Sequence, residues 1–455
     1  MAKKQVAASA PAPANRPPYM LIEEIRVQGY KSLVDATLHV RPLTLLAGTN
    51  SSGKSSIMQP LLLIKQTMEA PYQPAGALVL DGAHVQAETA GELVSKLENP
   101  NGQFEVRMQG SEIFAKHSHP SYLDIVYQKF QLGFRIVSQH SANVFNKEGL
   151  KLTPAMPWLS VKKQISSGFI KSVAGLTNGS GQIIEEGGIL TIGLTDKSGN
   201  SMGIVRATAI EGALSNLMHI PGLRSVPKRS YAATYFQEQI KGTFDLYAAG
   251  TLSQWQRRDN RAAISKLNDY LRRLGLTDSV TAKVKNANEV ELSVSRLPAG
   301  SKGKPRKADM VNIADVGIGV SQVLPILVAL IAAQEGQIVY VEQPELHLHP
   351  RAQVAMAELL AEAANRGVRV IVETHSSLLL LTVQTLIAQD HIKNTDVALH
   401  WFARDAKGAT TVNYVQPDED GAYGEWPEDF GDVELRAQDA YLTAVGMRHF
   451  GNAAK

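Results

Sequence analysis

The residues Gly48-Thr49-Asn50-Ser51-Ser52-Gly53-Lys54-Ser55 set two glycines, a lysine and a hydroxyl at the spacing G-x-x-x-x-G-K-[ST]. The chemistry open to such a run is to cradle phosphates. Glycines at its first and sixth places let backbone N–H groups turn inward. Lys54 would then reach the β- and γ-phosphates of ATP, and Ser55 would offer its hydroxyl to Mg²⁺. Asn50, Ser51, Ser52 and Ser56 complete the candidate ATP-binding set with Gly48, Gly53, Lys54 and Ser55. A chance Gly/Ser turn has the same local composition, but it rarely has an apolar strand before it and a helical pattern after it.

Two later strand ends carry matching chemistry. Ile338-Val339-Tyr340-Val341 is an apolar run closed by Glu342-Gln343-Pro344-Glu345. Such a strand brings a carboxylate to the phosphate loop, so Glu342 is expected to hold Mg²⁺ with Ser55. Ile371-Val372-Glu373-Thr374-His375-Ser376 ends in a histidine suited to bonding the γ-phosphate or orienting a water. The candidate catalytic set is therefore Glu342, Gln343, Glu345 and His375. Asp315 to Gln322 forms a glycine-rich helix entry, in which Gly317, Gly319, Ser321 and Gln322 make a second anion-accepting helix start. Taken alone, that segment reads better as an ordinary helix entry. His347 and His349 alternate like a zinc pair, but no third ligand is evident.

These residues need elements to place them. Leu21–Val27 alternates like a half-exposed strand, and Leu43–Ala47 is an apolar strand running into Gly48. A helical pattern covers Lys54–Met68. From Asp309 onward helix Val320–Ala333, strand Gln337–Val341, helix Ala352–Asn365 and strand Arg369–Glu373 alternate, which implies parallel βαβ units. Between these ends, strand-like runs (Gln103–Met108, Leu123–Phe134, Ile189–Leu194, Gly203–Ala209) alternate with turn residues, as in an antiparallel sheet. Trp255–Leu274 has helical spacing, and no heptad pattern is sustained. The expected division is a disordered tail over 1–19 and a first core segment over 20–75. An inserted β and helical lobe over 76–308, a second core segment over 309–400 and an extension over 401–455 follow.

Composition narrows the rest. The 455 residues hold no cysteine, which excludes a disulfide framework, a thiol nucleophile and a cysteine-ligated metal. The net charge of +3 permits a nucleic-acid partner without demanding one. The longest apolar-rich run, Val323–Ala333, is too short for a membrane span, and Met1–Tyr19 lacks a signal-peptide core, so the cytoplasm is the expected location. Arg257, Arg258, Arg261, Lys266, Arg272 and Arg273 form either a DNA-contact face or a plain helix surface. Pro298–Lys307 is a Lys-bearing loop. The acids Asp418, Glu419, Asp420, Glu428, Asp429, Asp432 and Glu434 are scattered through Gly and Pro, as in a solvated loop.

The four motifs in this order resemble the ABC-type ATPase heads of the SMC, RecF and OLD group. Ile22–Ser56 is similar to their opening almost throughout. VGIGVSQVLPIL, YVEQPELHLHP, VIVETHSSLL, HIPGLRSVPKRSY and GEWPEDFGD resemble a subgroup of small AAA-type ATPases with an EQPE motif. The resemblance implies an α/β P-loop NTPase head of ABC type. It would have a mixed sheet, an inserted antiparallel β and helical lobe, and no long coiled coil. It also implies a composite site, with ATP and Mg²⁺ held between the phosphate loop of one subunit and Gly317, Gly319, Ser321 and Gln322 of the other. His375 would be the switch histidine, and His349 falls where an acid usually stands. Gln343 occupies the place of the usual general base, so Glu342 or Glu345 would substitute, or hydrolysis would be slow. The glutamine that senses the γ-phosphate stays open among Gln86, Gln128 and Gln131.

Three functions follow from the resemblance. The first is an ATP-driven homodimeric or higher switch in anti-phage defence or DNA maintenance, read by a separate effector such as a nuclease. The second is a RecF-like ATPase acting directly on DNA. The third is a scaffold that binds ATP without hydrolysing it.

Overall fold

The computed structural model describes residues 19–71, 76–97, 99–114, 117–130, 133–143, 146–164, 180–195, 201–205, 210–233, 240–296, 309–424 and 439–445. The sheet that carries the phosphate loop has six strands. Their order is Met218–Ile220, Ile338–Glu342, Arg369–Glu373, Leu43–Gly48, Val397–Arg404 and Thr410–Val415. The first five are parallel and the last is antiparallel, which makes the expected mixed sheet.

Strand side chains alternate between two cores, as the period of two requires. Leu43, Leu45, Val339, Val341, Val370 and Val372 face a core of helices, chiefly Ala248–Arg257, Arg261–Arg273, Ile318–Ala332, Pro350–Asn365 and Ser377–Ala388. Leu46, Ile338, Tyr340, Ile371 and Phe402 face the opposite core. There they meet the helix Gln59–Glu69 and an antiparallel sheet ordered Leu33–His39, Tyr19–Tyr30, Gln103–Phe114, His117–Phe130, Gly133–Asn143, Asn146–Leu152. Burial on both faces explains why the central strands are apolar runs and not alternating ones.

Several elements differ from the sequence expectation for local physical reasons. The helix after the phosphate loop starts as a 3-10 turn, Ser55–Ile57, and becomes α-helical only at Gln59, with Pro60 in its first turn. Trp255–Leu274, where one or more helices were expected, spans two. The chain turns at Asp259 (φ 50°), and the Asn260 side chain caps the second helix by accepting from the Ala263 N–H. The run Leu123–Phe134 divides between two antiparallel strands. Helix Ile318–Ala332 begins two residues earlier than its apolar pattern suggested, with Gly317 as its N-cap. The phosphate-loop sheet extends through Thr410–Val415, and Tyr19–Tyr30 pairs with Gln103–Phe114. Gly203–Ala209 is a strand over Ser201–Val205. Residues 206–209, the loop 298–307 and the acids Glu428, Asp429, Asp432 and Glu434 with Trp426-Pro427 lie outside the described residues. Among the described residues the longest helix has 16 residues, and no helix is long and apolar enough to cross a membrane.

His400, on the strand beside Leu43–Gly48, tests this packing. The ring is fully buried, and its Nε2 donates to the His39 carbonyl at 3.0 Å. Burial pushes the ring down from 6.5 to about 4. The folded state therefore keeps it neutral while the unfolded chain takes up a proton below about pH 6.5. Stability is lost as pH falls from about 6.5 to 4, by ~3 kcal/mol at full effect. In His400→Gln, whose amide retains a donor, that part of the acid loss should vanish. Urea melts at pH 7 and pH 4.5 measure it, and equal pH losses in both proteins would refute it.

Candidate functional site

The phosphate loop leaves its strand at Gly48, whose φ is 142°. A Cβ there would lie 2.1 Å from the Phe402 carbonyl oxygen, so the close approach of the neighbouring strand admits only glycine. Thr49, Asn50 and Ser51 form the exposed tip, and Ser51 adopts φ 59°. Behind the tip the loop is braced by the last strand: Thr410 Oγ1 donates to the Ser52 carbonyl at 2.8 Å and meets Ser32 Oγ at 2.8 Å. Gly53 (φ 100°) packs so close to Thr410 that a Cβ would lie 2.6 Å from its hydroxyl. Arg404 Nε donates to the Ser51 carbonyl at 2.9 Å. Ser56 is half-buried behind the loop.

Lys54 is buried and folds over the loop, donating to the carbonyls of Gly48 (3.0 Å) and Thr49 (2.7 Å). Burial lowers its pKa against the pull of Glu373 and Glu345. Glu373 ends the strand next to the phosphate-loop strand, in register with Leu46. Burial raises its carboxyl, and Glu342 adds to that; bonds from Ser55 and Tyr340 and the charge of Lys54 oppose it. The Tyr340 hydroxyl donates to Glu373 Oε2 at 3.2 Å.

Glu342 lies one strand farther out, paired with Glu373 in the parallel register. The sheet order places Arg369–Glu373 between Ile338–Glu342 and the phosphate-loop strand. Both Glu342 oxygens are engaged within the chain. Oε1 meets His219 Nε2 at 3.2 Å and Oε2 accepts the Gly222 N–H at 2.9 Å. Burial pushes Glu342 up, yet these bonds hold it net below the usual carboxylate range. Arg224 closes the turn from behind, its Nη2 donating to the Glu342 carbonyl at 2.7 Å and the Gln343 carbonyl at 3.3 Å. Burial lowers this guanidinium to about 10. Arg224 also lines a cavity of about 20 Å³ with Asp245, Tyr231 and Ser321.

Gln343 sits at φ 46°, a left-handed conformation costly for a side chain with a Cβ. Its N–H donates to the Glu373 carbonyl at 2.7 Å. Its Oε1 and Glu342 Oε2 both lie within 3.5 Å of where a Gly222 Cβ would stand. Glu345 instead reaches the next strand end, where its Oε1 accepts the His375 N–H at 2.7 Å and its buried Oε2 has no partner. Burial raises Glu345 above the usual range despite that bond. Burial, then the charge of Lys54, keeps His375 on the neutral side of its ordinary value.

The glycine-rich helix entry is partly exposed at Gly317, Ile318 and Gly319. Ser321 Oγ donates to the Ile318 carbonyl at 2.8 Å, and Gln322 Nε2 to the Ser225 carbonyl at 3.1 Å. His349 caps helix Pro350–Asn365, and exposed His347 adopts φ 65°. Among the described residues no three His, Asp or Glu side chains gather into a metal cluster by themselves. The donor chemistry that fits Mg²⁺ is the Ser55 hydroxyl beside a strand-end carboxylate, a hard-oxygen set that nucleotide phosphates would complete.

The sequence reading missed two things here: Glu373 as a site carboxylate, and a buried polar chain behind Glu342. His219 Nδ1 meets His84 Nδ1 at 3.0 Å, and His84 Nε2 meets Glu69 Oε2 at 3.3 Å. Glu69 Oε1 then pairs with Lys65 at 2.8 Å. His219 lies in the HIPGLR run, which was the available signal; His84 had none. Two of the basic residues of the 257–273 region face acids of a neighbouring helix. Lys266 pairs with Glu362, and Arg273 with Glu358 and Glu362, at about 3 Å.

Two family models match. Residues 20–149 match "AAA ATPase domain", and residues 248–381 match "AAA domain, putative AbiEii toxin, Type IV TA system". The sequence matches none of the curated proteins compared with it. Three solved structures are similar in fold. An SMC head bound to the C-winged helix domain of ScpA is 14% identical, aligned over 87% of this chain and 98% of that one, with a TM-score of 0.46. The Pyrococcus furiosus SMC head with an extended coiled coil, bound to the C-terminal domain of ScpA, is 12% identical over 88% and 97%, with a TM-score of 0.44. The SMC head domain from Thermotoga maritima is 12% identical over 87% and 99%, with a TM-score of 0.38.

Arg224→Met keeps an unbranched apolar stem and removes the charge and donors. It should cost ~2 kcal/mol, since two carbonyls lose a charged donor in a buried place. Urea unfolding checks this, and an unchanged midpoint would count against the clamp.

Proposed function

We propose that this AAA-type ATPase head binds and hydrolyses Mg²⁺-ATP, and that ATP closes two copies into a dimer. The observation that carries this is the convergence of Lys54, Ser55, Glu373, Glu345 and His375 at the carboxyl ends of adjacent parallel strands, where open α/β sheets bind ligands. Lys54 and the loop amides take the phosphates, and Ser55 with strand-end carboxylates holds Mg²⁺. Glu345 accepts the proton of the attacking water, and neutral His375 donates to the γ-phosphate. When bound, Mg²⁺ neutralises charge developing on the phosphate oxygens.

The dimer reading rests on what surrounds the site. Gln322 and the Arg229–Asp315 pair fasten the 222–229 segment to the glycine-rich helix entry. The resulting face shows three aliphatic side chains, Leu223, Val226 and Ile318, at 93%, 69% and 41% exposure. A second copy placing Gly317, Gly319, Ser321 and Gln322 over the nucleotide would cover them. The matched model's description, a putative AbiEii toxin of a type IV TA system, supports the defence side of this reading; DNA maintenance, a cytoplasmic location and a separate effector that reads the dimer belong to the same proposal. Direct DNA binding is the weaker reading, because Lys266 and Arg273 already face carboxylates of their own chain.

Steady-state turnover against protein concentration tests the composite site. The rate per subunit should rise with concentration and disappear in Lys54→Ala; a flat rate would refute dimer closure. No turnover with ATP still bound would favour the scaffold instead.

Glu345→Gln should lower kcat by roughly 10² to 10⁴ while nucleotide binding persists. The raised Glu345 carboxyl sets a sign for pH: the base is lost as it protonates, so kcat should fall on the acid side, at a pH above the ordinary carboxylate range. An acid limb unchanged in Glu345→Gln would remove Glu345 from the base role.

A further inference from the structure

We propose that His219 is a positioning residue for Glu342: its ring N–H sets the plane of that carboxylate, so that a free lone pair is aimed at the nucleotide's Mg²⁺. This rests on the Mg²⁺-ATP reading above. Met218–Ile220 is the strand beside Ile338–Glu342, in parallel register, with His219 opposite Tyr340. That register lays the His219 ring on the Tyr340 ring, with centroids 5.3 Å apart and planes at 13°. Just past the strand the chain reaches Gly222, so one short segment supplies a donor to each Glu342 oxygen. His219 Nε2 reaches Oε1 at 3.2 Å, and the Gly222 N–H reaches Oε2 at 2.9 Å. An ionised carboxylate only accepts, so Nε2 carries the proton. Each oxygen takes one bond here and keeps a lone pair for a cation.

The ring that donates is itself held. His219 is buried, and with Nε2 donating, its Nδ1 must accept. His84 Nδ1 faces it at 3.0 Å, and the far nitrogen of His84 lies 3.3 Å from Glu69 Oε2. Arg224, from the same segment as His219, holds the Glu342 carbonyl at 2.7 Å. Backbone and carboxylate of Glu342 are thus both tied to residues 219–224. The Glu342 side chain nevertheless stays 23% exposed, so part of it is open to a ligand. A hydrogen bond to a metal-ligating carboxylate orients it, and losing such a bond costs about 10- to 100-fold in metal affinity. His219 would act in this way, through Glu342.

Binding of a fluorescent ATP analogue, titrated with Mg²⁺, reads this role without reference to turnover. His219→Phe keeps a ring against Tyr340 and removes the donor. It should raise the Mg²⁺ concentration at half-maximal binding by about tenfold or more, with binding in EDTA unchanged. His219→Gln, whose amide can place a donor near the position of Nε2, should move that midpoint by less than about threefold. An unmoved midpoint in His219→Phe, or a shift in His219→Gln as large, overturns the inference. An equal loss of binding in EDTA does so too, since it would mark a role in the fold alone. Should His219→Phe fail to fold, His84→Phe removes the group that faces Nδ1. It should shift the midpoint in the same direction by about threefold or more, and no shift there overturns the inference. A wild-type chain that binds no analogue, or binds it equally well without Mg²⁺, would sink the Mg²⁺-ATP reading itself. Wild-type binding that responds to Mg²⁺, with an unmoved midpoint in His219→Phe, would sink only this one.

Discussion

Lys54 carries an ammonium into a place where only 4% of its surface meets solvent. An uncompensated charge there would cost several kcal/mol. The loop carbonyls of Gly48 and Thr49 satisfy part of its donors, and the carboxylates of Glu373 and Glu345 supply the field. The sheet order serves that need: Arg369–Glu373, a strand ending in an acid, lies directly against the phosphate-loop strand. Glu342, one strand out, would then be a second buried negative charge beside Glu373. It is relieved from the other side, by His219 and the Gly222 N–H. The two acids remain neighbours because each faces a different compensating group.

That arrangement ties the phosphate loop to the rest of the chain at both ends of its helix. At the start, Lys54 lies in the field of Glu373. At the far end, Glu69 takes the Gly242 N–H at 2.8 Å, pairs with Lys65, and reaches Glu342 through His84 and His219. Lys65 in turn donates to the Ser215 and Ile240 carbonyls, both at 2.9 Å. Buried polar chains of this kind stay ordered because every broken link leaves a desolvated group. The helix Gln59–Glu69 and the segment 219–224 are thereby held in one register with the acidic strand.

What could be read in the sequence was whatever depends on near neighbours along the chain. The phosphate loop, its flanking strand and the two acid- or histidine-ended strands are patterns of eight or fewer residues, and all fell where expected. Glu373 was visible in the ETHS run but carried no weight, because its importance comes from pairing with Leu46, far away in sequence. The link from His84 to His219 spans 135 residues and has no periodicity to announce it. The break at Asp259 and Asn260 was hidden by apolar residues on both sides that kept a helical spacing. The basic stripe from Arg257 to Arg273 left a DNA-contact face and a plain helix surface both open, because the acids that face Lys266 and Arg273, Glu358 and Glu362, lie on another helix.

The glutamine at 343 is the residue on which chemistry and geometry bear together. Its backbone is a corner: φ is 46°, and its N–H is spent on the Glu373 carbonyl. Its side chain leans toward Gly222, on the Glu342 side and away from Lys54. A carboxylate in that place would stand beside Glu342 and add a further negative charge to a turn that already holds Glu342 and Glu345. An amide avoids that repulsion. Two residues on, the chain has turned far enough for Glu345 to face His375 and feel Lys54. It keeps one buried oxygen without a partner there, which is the state a base needs before it takes a proton. On the ATPase reading proposed above, Glu345 supplies the base from two places farther along the turn.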